Sequence, residues 1–366
     1  MPLFPPSECA RLIVKIGSAL LVEADGSVRR DWLKGIAADI ASRCREGQQV
    51  AVVSSGAIAL GARRLGLPKG GRASLEDAQA AAATGQIALS QVWAEVLEAQ
   101  DLTAAQMLVT LDDLEDRRRY LNASATLDRL LTLGVVPVIN ENDSVATAEI
   151  RFGDNDRLAA RVGQAAGAAG VLLLSDVDGL YDADPNVHAG ARLIERVEAI
   201  DDVLSFAGAG SSSGMGSGGM RSKLEAARIA TSVGIALIIA NGRTERPLSA
   251  DRGTLFVARP GASPRKAWLA GRLTARGSVS VDAGAARALR VGSSLLAAGA
   301  IGVEGRFARG DVVDIIHDGR PVARGLSEYD AADASRILRT KSDAQAEILG
   351  YAPRSALVHR DHLVLI

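Results

Sequence analysis

Aromatic side chains are scarce in this sequence: Phe, Trp and Tyr together make up 3% of 366 residues. Any core must be aliphatic, and the 48% hydrophobic fraction supplies ample Ala, Val, Leu and Ile for one. Cysteine is scarcer still. Cys9 and Cys44 stand far apart with no C-x-x-C, which excludes a disulfide framework and a Cys-rich zinc site. No run of 18 apolar residues occurs, so no membrane-spanning helix is expected. The opening MPLFPPSECARLIVKIGS has no basic stretch ahead of a long apolar one. That argues against an ordinary signal peptide and leads us to expect a cytoplasmic protein. Neither sign of charge predominates, at 42 basic against 43 acidic residues. A chain whose main task is gripping nucleic acid or anionic membrane through overall positive charge is therefore not expected. Lysine is rare among the cations, 6 against 36 arginines. Where a lysine does appear at a strand end, a compact point charge is wanted there.

What is present is alternation. Over the first 260 residues, short apolar runs alternate with longer amphipathic stretches: RLIVKI from Arg11, QVAVVS from Gln49, AQMLVT from Ala105, VVPVIN from Val135, VLLLSD from Val171 and IALIIA from Ile235. Each run is continuous in β-branched residues and Leu, as strands buried on both faces of a parallel sheet are. Between them, Trp32 to Cys44 reads as a helix, and Gln79 to Gln100 as a long Ala-rich helix interrupted near Gly85. The fold class expected is α/β, a mostly parallel sheet sandwiched by helices, with ligands bound beyond the carboxyl ends of the strands. Residues 261–276, rich in Gly, Pro and basic residues, read as a linker. Residues 277–366 then read as a small β-rich domain, with strand-like pieces at Gly277, Ser294, Asp311, Pro321 and Ala356 and 11 basic against 11 acidic residues.

Chemistry is therefore sought just after each strand. Lys15, Gly17 and Ser18 close the first one, where an ammonium and backbone N–H groups can meet a phosphate. Ser54, Ser55, Gly56 and Ala57 close the second, small residues that leave room for a ligand or cap the following helix. Asn140 to Asp143 and Phe152 to Asp156 place four carboxylates and three carboxamides within 17 residues. If Asp154, Asn155 and Asp156 are extended, the two aspartates face one way and the asparagine the other. Such a cluster can hold Mg²⁺ through water, orient lysines, or grip an ammonium group. Leu174 to Pro185, LSDVDGLYDADP, resembles a nucleotide-site loop, whereas the glutamate that a calcium loop requires is missing. Finally, six of the twelve residues from Gly208 to Gly219 are glycine, and Lys223 follows, ahead of a helix expected from Leu224 to Ser232. The formal G-x-G-x-x-G at Gly214, Gly216 and Gly219 lacks the preceding strand of a dinucleotide fingerprint, and no Walker A motif occurs. A loop folding over phosphates, with Lys223 as its cation, fits this stretch better.

In this order, VKIGS, VVSSGAIALG, QMLVTLDDLEDRRRYLNA, PVINENDSVATAEIRFGDNDRLAA, LLLSDVDGLYDADP and GSGGMRSKLEAA resemble the amino-acid kinase family. The long block from Pro137 to Ala160 resembles its glutamate-phosphorylating branch, and the tail resembles an appended PUA domain. The resemblance implies an amino-acid kinase fold in residues 1–260 and a PUA barrel-like domain in 277–366. It implies phosphorylation of the 5-carboxylate of L-glutamate by ATP with Mg²⁺, the first step of proline biosynthesis. Carried over by position, Ser55, Asp143, Asp154 and Asn155 would bind glutamate. Lys15, Gly17, Ser175, Asp176, Ser217, Gly218, Gly219, Met220, Arg221, Ser222 and Lys223 would bind ATP. Lys15, Lys223 and Asp156 would be catalytic, with no protein ligand directly on the metal. Ser175 and Arg221 depart from the family pattern, which more often has Thr and a small polar residue there. The resemblance also implies feedback inhibition by proline and a homo-oligomer, dimer or tetramer. Two other readings are a kinase for aspartate or acetylglutamate and an RNA-binding PUA protein. The first should lack the NEND and FGDND block, and the net-zero tail and intact kinase motifs weigh against the second.

Overall fold

The computed structural model describes residues 3–365 apart from 24–25, 146–154, 186, 189, 201–202, 204–218, 250 and 259–274. The chain falls into two compact units, Met1–Gly261 and Ala262–Ile366. Most of residues 261–276 lie outside the described residues.

In the first unit, eight strands form one sheet: β1 (Arg11–Ile16), β2 (Gln49–Val53), β3 (Ala104–Val109), β4 (Val136–Glu141), β5 (Gly170–Ser175), β6 (Arg196–Val197), β7 (Ala236–Asn241) and β8 (Thr254–Phe256). Their spatial order is β3-β4-β2-β1-β5-β7-β8-β6, parallel except where β7 meets β8. The helices are α1 (Ser18–Leu21), α2 (Arg30–Arg45), α3 (Ala57–Leu65), α4 (Leu75–Glu98), α5 (Leu111–Glu115), α6 (Arg117–Thr132), α7 (Asn155–Ala166) and α8 (Met220–Ser232). The continuous apolar runs have the burial they implied in β4 and β5, buried at every residue, and nearly so in β1. β3 is different. It is the edge of the sheet, and Gln106 and Leu108 are exposed.

β2, β4 and β3 lie on one side of β1, and β5 and β7 on the other. The connection from β4 to β5 must therefore cross β2 and β1, and α7 makes that crossing, packed against all four strands. Its N-terminus opens at the carboxyl end of the sheet, where the strand order reverses and α/β proteins bind ligands.

Three helix expectations are corrected. Helix α4 runs unbroken through Gly85. The glycine marks a close crossing rather than a break: a Cβ on Gly85 would strike the carbonyl oxygen of Ala57, and one on Gly61 that of Ala81. Helix α7 begins at Asn155, so Asn155 and Asp156 are helical rather than extended and project in different directions for that reason. Helix α8 begins at Met220, which puts Lys223 inside its first turn instead of ahead of it.

The second unit has its own sheet, β9 (Gly277–Val281), β10 (Ala300–Gly305), β11 (Val312–His317), β12 (Arg320–Leu326) and β13 (Leu363–Leu365), ordered β10-β9-β11-β12-β13. The stretch from Ser294 is no strand of this sheet. Leu295 makes one bridge to Val358, and a 3-10 turn at Ala297–Gly299 leads into β10, which the sequence pattern missed. Val279, Leu289, Val313, Ile315, Ala323 and Val358 are among the residues of an aliphatic core of its own. Among the described residues, no helix is long and apolar enough to cross a membrane.

Candidate active site

Lys15 is the next-to-last residue of β1, and only 7% of it is exposed. Its Nζ lies 2.6 Å from Oδ1 of Asp156, and the Nζ of Lys223 lies 3.0 Å from Oδ2 of the same carboxylate. Residues 15, 156 and 223, far apart in sequence, meet because β1, α7 and α8 converge at the carboxyl end of the sheet. Asp156 is 1% exposed. Burial alone would push its carboxyl group up, but the two ammonium groups hold it below the ordinary aspartate value. An acid in the first turn of α7 suits that helix's positive end. Lys223 stands in the first turn of α8, where a cation is disfavoured by the helix dipole. Asp156 offsets this in part. The three side chains still sum to one positive charge in a buried place, which is what an anionic ligand would neutralise.

The neighbouring strand ends carry amides and hydroxyls instead of ammonium groups. Nδ2 of Asn155 donates to Oγ of Ser55 at 2.8 Å and, more weakly, to Oδ1 of Asn140 at 3.4 Å. Trp93 Nε1 on α4 donates to Ser54 Oγ at 3.0 Å, fixing the turn that leads into Gly56. Gly56 has φ of 99°, a left-handed conformation that any side chain would strain. A cavity of about 270 Å³ opens here, lined in part by Ala57, Gln86, Glu141, Asn142 and Asp143. Its size is just under the usual range for small-molecule sites, roughly 300–1,000 Å³. Asp143 is buried, and burial raises its carboxyl to about 6, with the charge of Arg72 opposing the rise. Oδ1 of Asp143 and Oδ1 of Asn155 are buried acceptors with no hydrogen-bond donor among the described residues. Such groups cost free energy unless something donates to them. An ammonium group would.

On the other side of β1, Ser175 ends β5 and its Oγ donates to Oδ1 of Asp176 at 3.1 Å. Gly17 N donates to the carbonyl of Leu174 at 3.3 Å, which joins the Lys15 turn to the same strand end. A larger cavity, about 500 Å³, lies close by, lined by residues that include Asp178, Asn241, Arg246 and Arg252. Asp178 accepts from Asn241 Nδ2 at 2.8 Å and from Tyr181 OH at 3.0 Å. Arg246 is held by Asp39 of α2 at 2.6 Å.

The structure thus brings Lys15, Asp156 and Lys223 into one contact and Ser55 and Asn155 into another. Asp143, Gly17, Ser175 and Asp176 stand at the same carboxyl end of the sheet. Gly219 caps α8, followed by Met220, Arg221 and Ser222, and Arg221 turns outward toward Glu225 at 3.5 Å. Asp154, Ser217 and Gly218 lie outside the described residues. Sequence reading missed Asn140 as an organiser, Gln86, and the Asp178–Asn241 pair. The last could have been found, since Asn241 ends a strand and Asp178 sits in a motif already singled out.

The amino acid kinase family model matches residues 10–241, well over half of the chain. The chain belongs to the amino acid kinase family. A PUA domain model matches residues 277–349, so this amino acid kinase carries the second module in its second unit. Glutamate 5-kinase of Sphingopyxis alaskensis is 73% identical, covering 100% of both chains. Glutamate 5-kinase of Zymomonas mobilis is 61% identical, over 99% of this chain and 93% of the relative. Among solved structures, carbamate kinase from Giardia lamblia bound to AMP-PNP aligns with a TM-score of 0.50 over 68% of this chain and 98% of that one. At 13% identity, that likeness speaks for the fold alone.

Proposed function

We propose that this amino acid kinase transfers the γ-phosphoryl group of ATP to the 5-carboxylate of L-glutamate, giving L-glutamyl 5-phosphate and ADP. A carboxylate oxygen forms the new bond to phosphorus as the bond to the ADP oxygen breaks. One observation carries the reading: a buried carboxylate holds two lysines at the central strand end, and next to it in the chain and at the adjoining strand end stand two undonated acceptor oxygens, those of Asn155 and of Asp143, the latter lining a cavity. The names of the most similar relatives support the choice of substrate.

A side-chain carboxyl with an ordinary pKa of about 4.3 is already ionised at neutral pH and is itself the nucleophile. No general base is needed. The obstacle is repulsion between that carboxylate and the triphosphate, so rate comes from positioning and neutralisation. Lys15 and Lys223 would meet the transferring phosphoryl oxygens, with Asp156 setting the distance between them. Ser55, Asp143, Asp154 and Asn155 would hold the amino acid, Asp143 and Asn155 through its ammonium group. Gly17, Ser175, Asp176 and residues 217–223 would hold the nucleotide. Mg²⁺ would enter with ATP on its phosphate oxygens.

Proline, with the same α-amino and α-carboxylate groups as glutamate, would inhibit by occupying the amino-acid cavity instead of the PUA module. The enzyme would act in the cytoplasm as a homo-oligomer, with residues 1–260 catalytic and 277–366 forming the PUA-like domain. A hydroxamate assay with ATP, Mg²⁺, hydroxylamine and a panel of amino acids tests the reading. Turnover with glutamate and not with aspartate or acetylglutamate is expected. Preference for either of the latter would overturn the substrate assignment.

A further inference from the structure

The proposed amino-acid site has acceptors for an ammonium group, but an α-amino acid also brings an α-carboxylate, which needs donors. Position 86 supplies them. Gln86 sits on α4, half-buried, one residue after the glycine that lets α4 press against α3, and it lines the same cavity as Asp143. The direction of its amide is set by a chain of hydrogen bonds that starts at the backbone. The N–H of Glu141 donates to Oδ1 of Asn140 at 2.9 Å, so Nδ2 of Asn140 must point away. That Nδ2 donates to Oε1 of Gln86 at 2.8 Å. The Gln86 oxygen is thereby committed, and its NH₂ group is left with two donors. Among the described residues no hydrogen bond engages that NH₂ group. Resting on the glutamate kinase reading, we propose that Gln86 binds the substrate's α-carboxylate through Nε2. It would thereby select amino acids with a free α-carboxyl group.

Gln86→Glu is a close test because it separates the two ends of the amide. A glutamate there can still accept from Asn140, so the chain of hydrogen bonds survives, but it donates nothing and repels a carboxylate. The measurement is the ratio of kcat/KM for L-glutamate to kcat/KM for glutamate whose α-carboxylate has been converted to a carboxamide. In the unaltered enzyme that ratio should favour the free carboxylate. Hydrogen bonds to charged groups predict a drop in the ratio of roughly tenfold or more in Gln86→Glu. KM for ATP should stay within about twofold. An unchanged ratio would overturn the proposal, whether or not overall activity falls, because a merely structural defect lowers both substrates together. Should Gln86→Glu not fold, Gln86→Met loses the donors at similar length, and the same ratio decides. Failure of the glutamate kinase reading looks different: the unaltered enzyme would then not turn over glutamate at all.

Discussion

Asn155 and Asp156 are consecutive, yet they belong to two differently built halves of one site. Asp156 faces two ammonium groups within 3.0 Å, and its charge is fully engaged. Asn155 faces a hydroxyl and a carboxamide, and its own oxygen has no donor among the described residues. The first half is pre-charged and pays for burial with ion pairs. The second is built largely of amides and hydroxyls, keeps acceptors in reserve, and includes the carboxyls of Glu141 and of Asp143, the latter pushed by burial to about 6. A helix start can serve both because successive residues there point about 100° apart. On the proposed function, one half would stabilise charge that develops during transfer, while the other would recognise charge that the substrate already has.

The sharpest way to break this division is to remove a lysine. Lys15→Ala and Lys223→Ala should each lower kcat by roughly 10²-fold or more, since each removes stabilisation at the transferring phosphoryl. Lys223→Arg should recover little, because a planar fork replaces a point charge. A folded Lys223→Ala enzyme with near-normal kcat would end the assignment of the charged half. Asp156→Asn should cost about 3–5 kcal/mol of stability, by leaving two buried lysines without their counter-ion. Denaturant unfolding of that variant checks the figure.

The amino-acid half should respond in KM instead. Asp143→Ala should raise KM for glutamate by about tenfold or more while KM for ATP stays nearly constant. The reverse pattern would exchange the two halves. The elevated carboxyl of Asp143 adds a sign that can be tested. Above about pH 6 it is ionised and can pair with an ammonium group; below that it is protonated and cannot. KM for glutamate should therefore climb as pH falls through about 6, with no matching change in KM for ATP, and Asp143→Asn should erase the inflection. The same shift runs the other way for stability. A folded value above the unfolded value of about 3.9 means the buried charge destabilises above pH 6, and that relief comes as pH falls toward 4. Asp143→Asn should be at least as stable as the parent at pH 7.5 in thermal unfolding, although it binds glutamate less well.

The smallest effect concerns the second unit. Rising glutamate should relieve proline inhibition, and by reciprocal linkage proline should weaken glutamate binding by the same factor. Truncation from about Gly277 onward should leave that inhibition measurable. Its complete loss from a still active kinase unit would place the sensor outside the amino-acid cavity.

Much of the site could be read from the sequence because strand ends announce themselves. A run such as VLLLSD stops being apolar where the chain leaves the sheet, so the turns that hold Lys15, Ser55, Asn140 and Ser175 stand out by position, while their roles come from the family resemblance. Local conformation was harder. The stretch around Asn155 has too few apolar residues before it to reveal a helix start, and it is the crossing from β4 to β5 that requires one. Gly85 looked like a break because glycine usually weakens a helix by about 1 kcal/mol, and no sequence pattern shows the neighbouring backbone that requires it. Gln86 escaped for a related reason: its role depends on Asn140, 54 positions away, and on which way one amide is turned. In the second unit, short strands and turns alternate too closely for periodicity to separate Ser294–Gly299 from β10.

The glycine crossing of α3 and α4 has a consequence for anyone wishing to change what the enzyme accepts. Ala57 opens α3 and Gln86 lies on α4, and both line the cavity, so the spacing of the two helices helps set its shape. Their backbones already touch where Gly61 and Gly85 meet, and no side chain there can be trimmed to bring them closer or swapped to hold them apart without collision. That wall of the cavity is thus a fixed gauge. Longer or shorter acids would have to be accommodated by replacing lining side chains such as Ala82, Ala83 or Ser90 one at a time, never by resetting the scaffold.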